Sequence, residues 1–103
     1  MSYLVAVCYG RPTDPDAFDA YYRDVHIPLA RAVPGLSDFT YGKCASTDGT
    51  EPAFYAVANL VFADAETARS GMSSPEMRAA GKDVANFATG TVTMYTQEVS
   101  SFL

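Results

Sequence analysis

A chain of 103 residues allows one domain and one core, and a hydrophobic fraction of 49% argues against disorder. The net charge of −5, with only two Lys and five Arg scattered along the chain, argues against nucleic acid or an anionic membrane surface as a partner. With 18% charged and 13% aromatic residues the polar coat is thin for so small a domain, so part of the surface is expected to be covered by another chain.

The first segment, residues 3–9 (YLVAVCY), is rich in β-branched and aromatic side chains and ends at Gly10, which reads as a strand. The N-terminus carries neither a basic flank nor a cleavage motif and its apolar run is short, so no signal peptide or membrane span is expected. Cys8 and Cys44 form neither a CxxC pair nor a metal-ligand spacing. They are expected to be small hydrophobes, reduced, in a cytoplasmic protein.

Next, Asp14-Pro15-Asp16 has the chemistry of a helix start: a capping carboxylate, a proline for the first helical position and an acid at the positive end of the dipole. Apolar residues at 18, 22, 25 and 29 form one stripe at helical spacing, with Asp19 and Arg23 on the opposite side. Pro28 has no N–H and its ring clashes with the carbonyl of Asp24, so the helix is expected to kink or restart just after His26. Val33-Pro34-Gly35-Leu36 is the exit turn. Residues 36–45 read as a second strand, 46–52 as a polar turn with the hairpin signal Asp48-Gly49, and 53–62 as the strongest strand. Asp64 caps a short helix over 64–71. Ser73-Ser74-Pro75-Glu76 begins another that runs to about Phe87, and after Gly90 residues 91–99 form the last strand.

The order β-α-β-β-α-β is that of the ferredoxin-like, split βαβ fold of the α+β class, a four-stranded antiparallel sheet with helices on one face. That topology puts the first and third strands in the centre. These are the most apolar ones, whereas the outer two carry Asp38, Lys43, Thr93, Gln97 and Glu98. Alternate residues of a strand face opposite sides of the sheet. In the third strand both sets are largely apolar (Phe54, Ala56, Ala58, Leu60, Phe62 against Tyr55, Val57, Asn59, Val61), and so are both sets of the first. Helices cover one face only, so a homodimer paired through the sheet faces is expected to cover the other.

The chain resembles the EthD family of dimeric α+β barrel proteins. The residues that carry the resemblance are Tyr9-Gly10-Arg11-Pro12, Asp14-Pro15-Asp16-Ala17-Phe18-Asp19 with Tyr21-Tyr22, His26-Ile27-Pro28-Leu29, Pro34-Gly35-Leu36, Phe54-Tyr55 with Val57-Ala58, Ser74-Pro75-Glu76 and Asn86-Phe87-Ala88-Thr89-Gly90. The resemblance implies a barrel formed by two sheets, one from each subunit, and a pocket between helices and sheet in each. The wider superfamily includes muconolactone and methylmuconolactone isomerases, cofactor-free monooxygenases of polyketides and fungal pigment dehydratases. The methylmuconolactone isomerases share a helix histidine corresponding to His26, but their tyrosine in the second strand falls at Phe39 here.

His26, the only histidine, lies at the rim of the apolar stripe, where an imidazole suits acid–base work, and Tyr22 lies one turn before it. These two are the candidate catalytic residues; a histidine that merely ties the kink together is the plain alternative. Tyr9, Tyr55, Asn59, Phe39, Asn86 and Phe87 are the candidates for contact with a small organic molecule, and Asn59, a polar residue in an apolar strand, fits a subunit interface equally well. One histidine and no clustered carboxylates cannot supply a metal site, and no nucleotide-binding motif is present, so no cofactor is expected. Three functions compete: a cofactor-independent isomerase or dehydratase acting on an aromatic or lactone-type metabolite with His26 as acid/base, a non-catalytic ligand-binding accessory protein, and a cofactor-free monooxygenase.

Overall fold

In the computed structural model, which describes residues 2–103, the elements follow as β1 (Ser2–Tyr9), α1 (Pro15–Tyr21), α2 (Ile27–Arg31), β2 (Leu36–Lys43), β3 (Ala56–Phe62), α3 (Ala65–Met72), α4 (Pro75–Asp83) and β4 (Val92–Val99). Three helices start where side-chain chemistry satisfies their free N–H groups. Asp14 accepts from the Ala17 N–H, Asp64 from Thr67 and Ser74 from Met77, with Pro15 and Pro75 opening their helices.

The strands form one antiparallel sheet in the order β2-β3-β1-β4, which places β1 and β3 at the centre as the ferredoxin-like topology requires. Register decides which residues face the helices. Val5 lies opposite Leu60, Val7 opposite Ala58 and Tyr9 opposite Ala56, and all of these are buried under the helices with Phe62, Phe18, Tyr22 and Val33. The alternate set, Leu4, Ala6 and Cys8 on β1 with Val57, Asn59 and Val61 on β3, points to the face without helices.

Three boundaries differ from expectation. The ladder of β3 starts at Ala56 rather than residue 53, and the connection back from β2 is a long loop, in which Gly49 takes φ +80° and Asp48 accepts from the Thr50 N–H. In β2 the pairing with β3 shifts between Leu36 and Asp38, leaving Ser37 unpaired while its hydroxyl donates to the Val61 carbonyl. The last helix stops at Asp83 and continues as a single 3₁₀ turn over Val84–Asn86.

The expected break near Pro28 takes a definite form. Between α1 and α2 one π turn, Tyr22–His26, widens the helix, and the Ile27 N–H donates to the Tyr22 carbonyl five residues back. A proline ring at 28 would strike the carbonyl four residues earlier; the wide turn upstream accommodates it without ending the helix.

Gly71 shows how closely α3 sits on the sheet. A Cβ there would stand 2.6 Å from the Pro34 carbonyl oxygen and 2.8 Å from the Phe62 ring. Gly81, inside α4, has nothing within 4 Å of the same atom. Gly71→Ala is therefore expected to destabilise by about 1–3 kcal/mol. Gly81→Ala should stabilise by about 0.5–1 kcal/mol, since a helix-interior glycine is conformationally costly. Urea unfolding of the two variants checks both signs.

Candidate functional site

Between the sheet and the helices lies a cavity of about 160 Å³. A site of this size holds one aromatic ring with small substituents. Its floor is Val7 and Tyr9 of β1, Ala58 and Leu60 of β3, Phe39 of β2, and Val92 and Met94 of β4. Its roof is Tyr22, His26 and Ala30 on the first helical segment, with Met77, Ala80, Gly81 and Val84 of α4 and its 3₁₀ extension. Val92 and Met94 remain 39% and 50% exposed, so β4 forms the open side.

His26 is 5% exposed and its Nδ1 lies 2.9 Å from Oδ2 of Asp83, itself 7% exposed. The other carboxylate oxygen, Oδ1, accepts from the Tyr21 hydroxyl at 2.5 Å and from Asn86 Nδ2 at 3.1 Å. Burial works to raise the Asp83 carboxyl, but hydrogen bonds from Tyr21, His26 and Asn86 outweigh it and hold its pKa below the usual carboxylate range. An ionised carboxylate only accepts, so Nδ1 of His26 carries the proton of that hydrogen bond, and in the neutral ring it is Nε2 that holds the lone pair. Asp83 ends α4, where the helix dipole disfavours a carboxylate; its three donors compensate.

Around this pair stands a cluster of rings. Phe87 lies 4.6 Å from His26, 5.5 Å from Tyr22 and 5.6 Å from Tyr9 between centroids, and stacks on Tyr21 at 5.7 Å. Tyr22 stacks on Tyr41 of β2 at 4.3 Å. The hydroxyls of both Tyr22 and Tyr41 are buried without a hydrogen-bond partner. Burial raises the Tyr22 phenol well above its ordinary value and pushes Tyr9 and Tyr41 up to about 12, so all three stay protonated and able to donate.

Of the residues singled out in the sequence, His26, Tyr22, Tyr9 and Phe39 come together in the cavity wall. Phe87 and Asn86 stand behind His26, Phe87 against its ring and Asn86 on Asp83. Tyr55 is placed elsewhere: its hydroxyl donates to Asp19 Oδ1 at 2.8 Å, and Lys43 reaches the other oxygen of Asp19 at 2.5 Å. Asn59 is corrected outright as a cavity residue. Strand alternation aims it at the face without helices, where its Nδ2 donates to Thr40 Oγ1 at 3.3 Å. The sequence reading missed Asp83 and Tyr21. A carboxylate in the last turn of a helix, against the dipole, was the signal for the first; Tyr21 lies off the apolar stripe and gave none. Among the described residues no three His, Cys, Asp or Glu side chains gather as a metal ion would require. No helix among them is long and apolar enough to cross a membrane.

Comparison with known proteins agrees with this architecture. The EthD domain matches residues 10–91. An uncharacterized 11.0 kDa protein encoded in the thcB-thcC intergenic region of Rhodococcus erythropolis is 46% identical over 92 residues, 89% of each chain. The crystal structure of an ethyl tert-butyl ether D (EthD) family protein from Bacillus halodurans superposes with a TM-score of 0.89 at 31% identity, covering 97% of this chain and all of that one (100%). A dimeric ferredoxin-like protein of unknown function from Jannaschia shares the fold at 20% identity, with a TM-score of 0.69 over 96% of this chain and 100% of the other. With its sequence matched over residues 10–91 and its fold matched almost end to end, the chain belongs to the EthD family.

Proposed function

We propose that this protein is a homodimer that binds a small aromatic or lactone-type metabolite between helices and sheet and moves a proton on it with His26, as a cofactor-independent isomerase or dehydratase. The observation that carries this reading is the buried 2.9 Å contact of His26 Nδ1 with Asp83, made in the wall of an otherwise apolar cavity. It orients the ring and stabilises the imidazolium that forms when Nε2 accepts a proton. The bond broken is a C–H or O–H of the bound molecule, and the electron pair stays on it as an enolate. Returning the proton to a different atom isomerises the molecule; delivering it to a departing hydroxyl releases water. Tyr22, in the cavity wall one turn before His26 and with its phenol kept protonated by burial, is the donor assigned to the developing oxyanion.

Pairing through the open sheet face rests on its composition. Leu4, Val57 and Val61 are only partly covered and Tyr95 is 45% exposed. Alternation along the strands puts them with Ala6 and Cys8 on one surface. Burying apolar surface is worth roughly 25 cal/mol per Å² before association costs. A second subunit is the occupant that covers such a face by symmetry. Val61→Lys is expected to yield a monomer in sedimentation, with loss of stability, because it puts an unpaired charge on a central strand of that face. A variant that still sediments as a dimer places the contact elsewhere.

With an enolisable butenolide as probe, deuterium incorporation from D₂O should fall by about 10²–10⁴-fold in His26→Gln while affinity for the probe is kept. Affinity lost together with exchange makes the protein a binder only. Asp83 gives a second test, in stability. Its native pKa is depressed, so its contribution is complete above the ordinary carboxylate value of about 3.9 and is lost as pH falls through the lower native value. The difference in melting temperature between wild type and Asp83→Asn should therefore shrink steadily as pH falls below about 4. A difference that keeps growing below about pH 4 contradicts an ionised Asp83.

A further inference from the structure

The charge distribution around the cavity narrows what it takes. Apart from His26 and the two tyrosines Tyr9 and Tyr22, every lining residue is apolar or Gly81, and no Lys, Arg, Asp or Glu lines the wall. The cations on the neighbouring strands are turned to other work. Lys43 pairs with Asp19, Arg11 lies 3.9 Å from Glu51, and both flank the Tyr55 ring. On α4 Arg78 donates to the Ser73 carbonyl. Neither Lys82 of α4 nor Arg31 of α2 is among the lining residues; the charge tied into the wall is the Asp83 carboxylate hydrogen-bonded to His26, and it is negative. The polar residues of the wall are His26, whose Nε2 accepts when the ring is neutral, and Tyr9 and Tyr22, whose hydroxyls are the donors available.

We infer that the cavity selects an electrically neutral aromatic molecule carrying both a hydrogen-bond donor and an acceptor, a phenol or an enol for example, over a carboxylate of the same shape. This rests on reading the cavity as the ligand site. A carboxylate placed there loses its hydration, finds no cation and meets an accepting nitrogen backed by another carboxylate; an unpaired buried charge is among the costliest arrangements a protein can hold. A neutral phenol gives its proton to the hydrogen bond with Nε2 and accepts from a tyrosine, and each buried polar atom is matched. Lactones bearing a carboxylate side arm are disfavoured on the same ground.

The test uses the wild-type protein and two matched pairs of probes at pH 7, where phenols stay protonated and benzoates are ionised: benzamide against benzoate and 4-hydroxybenzamide against 4-hydroxybenzoate. Because the chain has a single histidine, its ring signals in an NMR titration report on the cavity wall without assignment ambiguity. Each neutral probe is expected to shift those signals and to bind about tenfold or more tightly than its anionic partner, a difference of about 1.4 kcal/mol. An anion that binds as tightly as its neutral partner, in either pair, overturns the inference and leaves proton transfer by His26 standing. Preference for the neutral probes without any exchange chemistry supports the inference and removes the catalytic reading. No shift with any probe removes the cavity as a ligand site, and the inference with it.

Discussion

The site is organised by one buried carboxylate. Asp83 is held ionised in a place where both burial and the helix dipole oppose it, and it is held there by three donors, two from the first helical segment and one from the turn after α4. Tyr21 comes from the end of α1, His26 from the π turn and Asn86 from the 3₁₀ turn after α4. Removing any one donor leaves a buried charge less than satisfied, so the carboxylate fixes how α4 sits against the helical segment that carries Tyr21 and His26. The same requirement fixes the tautomer and direction of His26. Positioning of the imidazole and docking of α4 are therefore one constraint.

Pro28 contributes from the other side. Its ring forces the ladder upstream to open, and the opening takes the form of a π turn rather than a broken helix. A wider turn brings residues 22 and 26 more nearly above one another than an α-helix does, and their rings lie 5.1 Å apart. Phe87 then fills the space that both rings and Tyr9 leave, touching elements that are far apart in sequence. The proline, a local backbone signal, thus has its effect in the cavity wall.

How much of this was legible in the sequence follows from the range of the forces involved. Strand order and the central position of β1 and β3 were readable because alternation and hydrophobicity are local patterns, and the kink at Pro28 was readable because the clash is within one turn. His26 stood out as the only histidine. Asp83 was not found, since its partners lie at positions 21 and 26 and only tertiary docking brings them near. The face of Asn59 stayed open for a related reason. A polar residue in an apolar strand announces that it needs a partner, but which face it points to is set by register, and Thr40 across the strand pair answers the need. Tyr55 illustrates a boundary error: it falls just outside the regular ladder, so alternation did not predict that its ring would turn toward Phe18.

The two orphan hydroxyls of Tyr22 and Tyr41 have no such local answer. Each costs roughly 1–3 kcal/mol while it stays unmatched, and replacing either tyrosine by phenylalanine would keep the stack at 4.3 Å while removing that cost. Stability alone therefore does not explain the phenols. They sit beside the cavity whose open side is β4, and alternate residues of that one strand do different things: Val92 and Met94 line the cavity, and Tyr95 stands half exposed on the face without helices. An edge strand pairs on one side only and is the least braced part of a sheet. Cover over Tyr95 would also steady the backbone that carries Met94, so the proposed subunit face and the proposed entrance to the cavity share one strand.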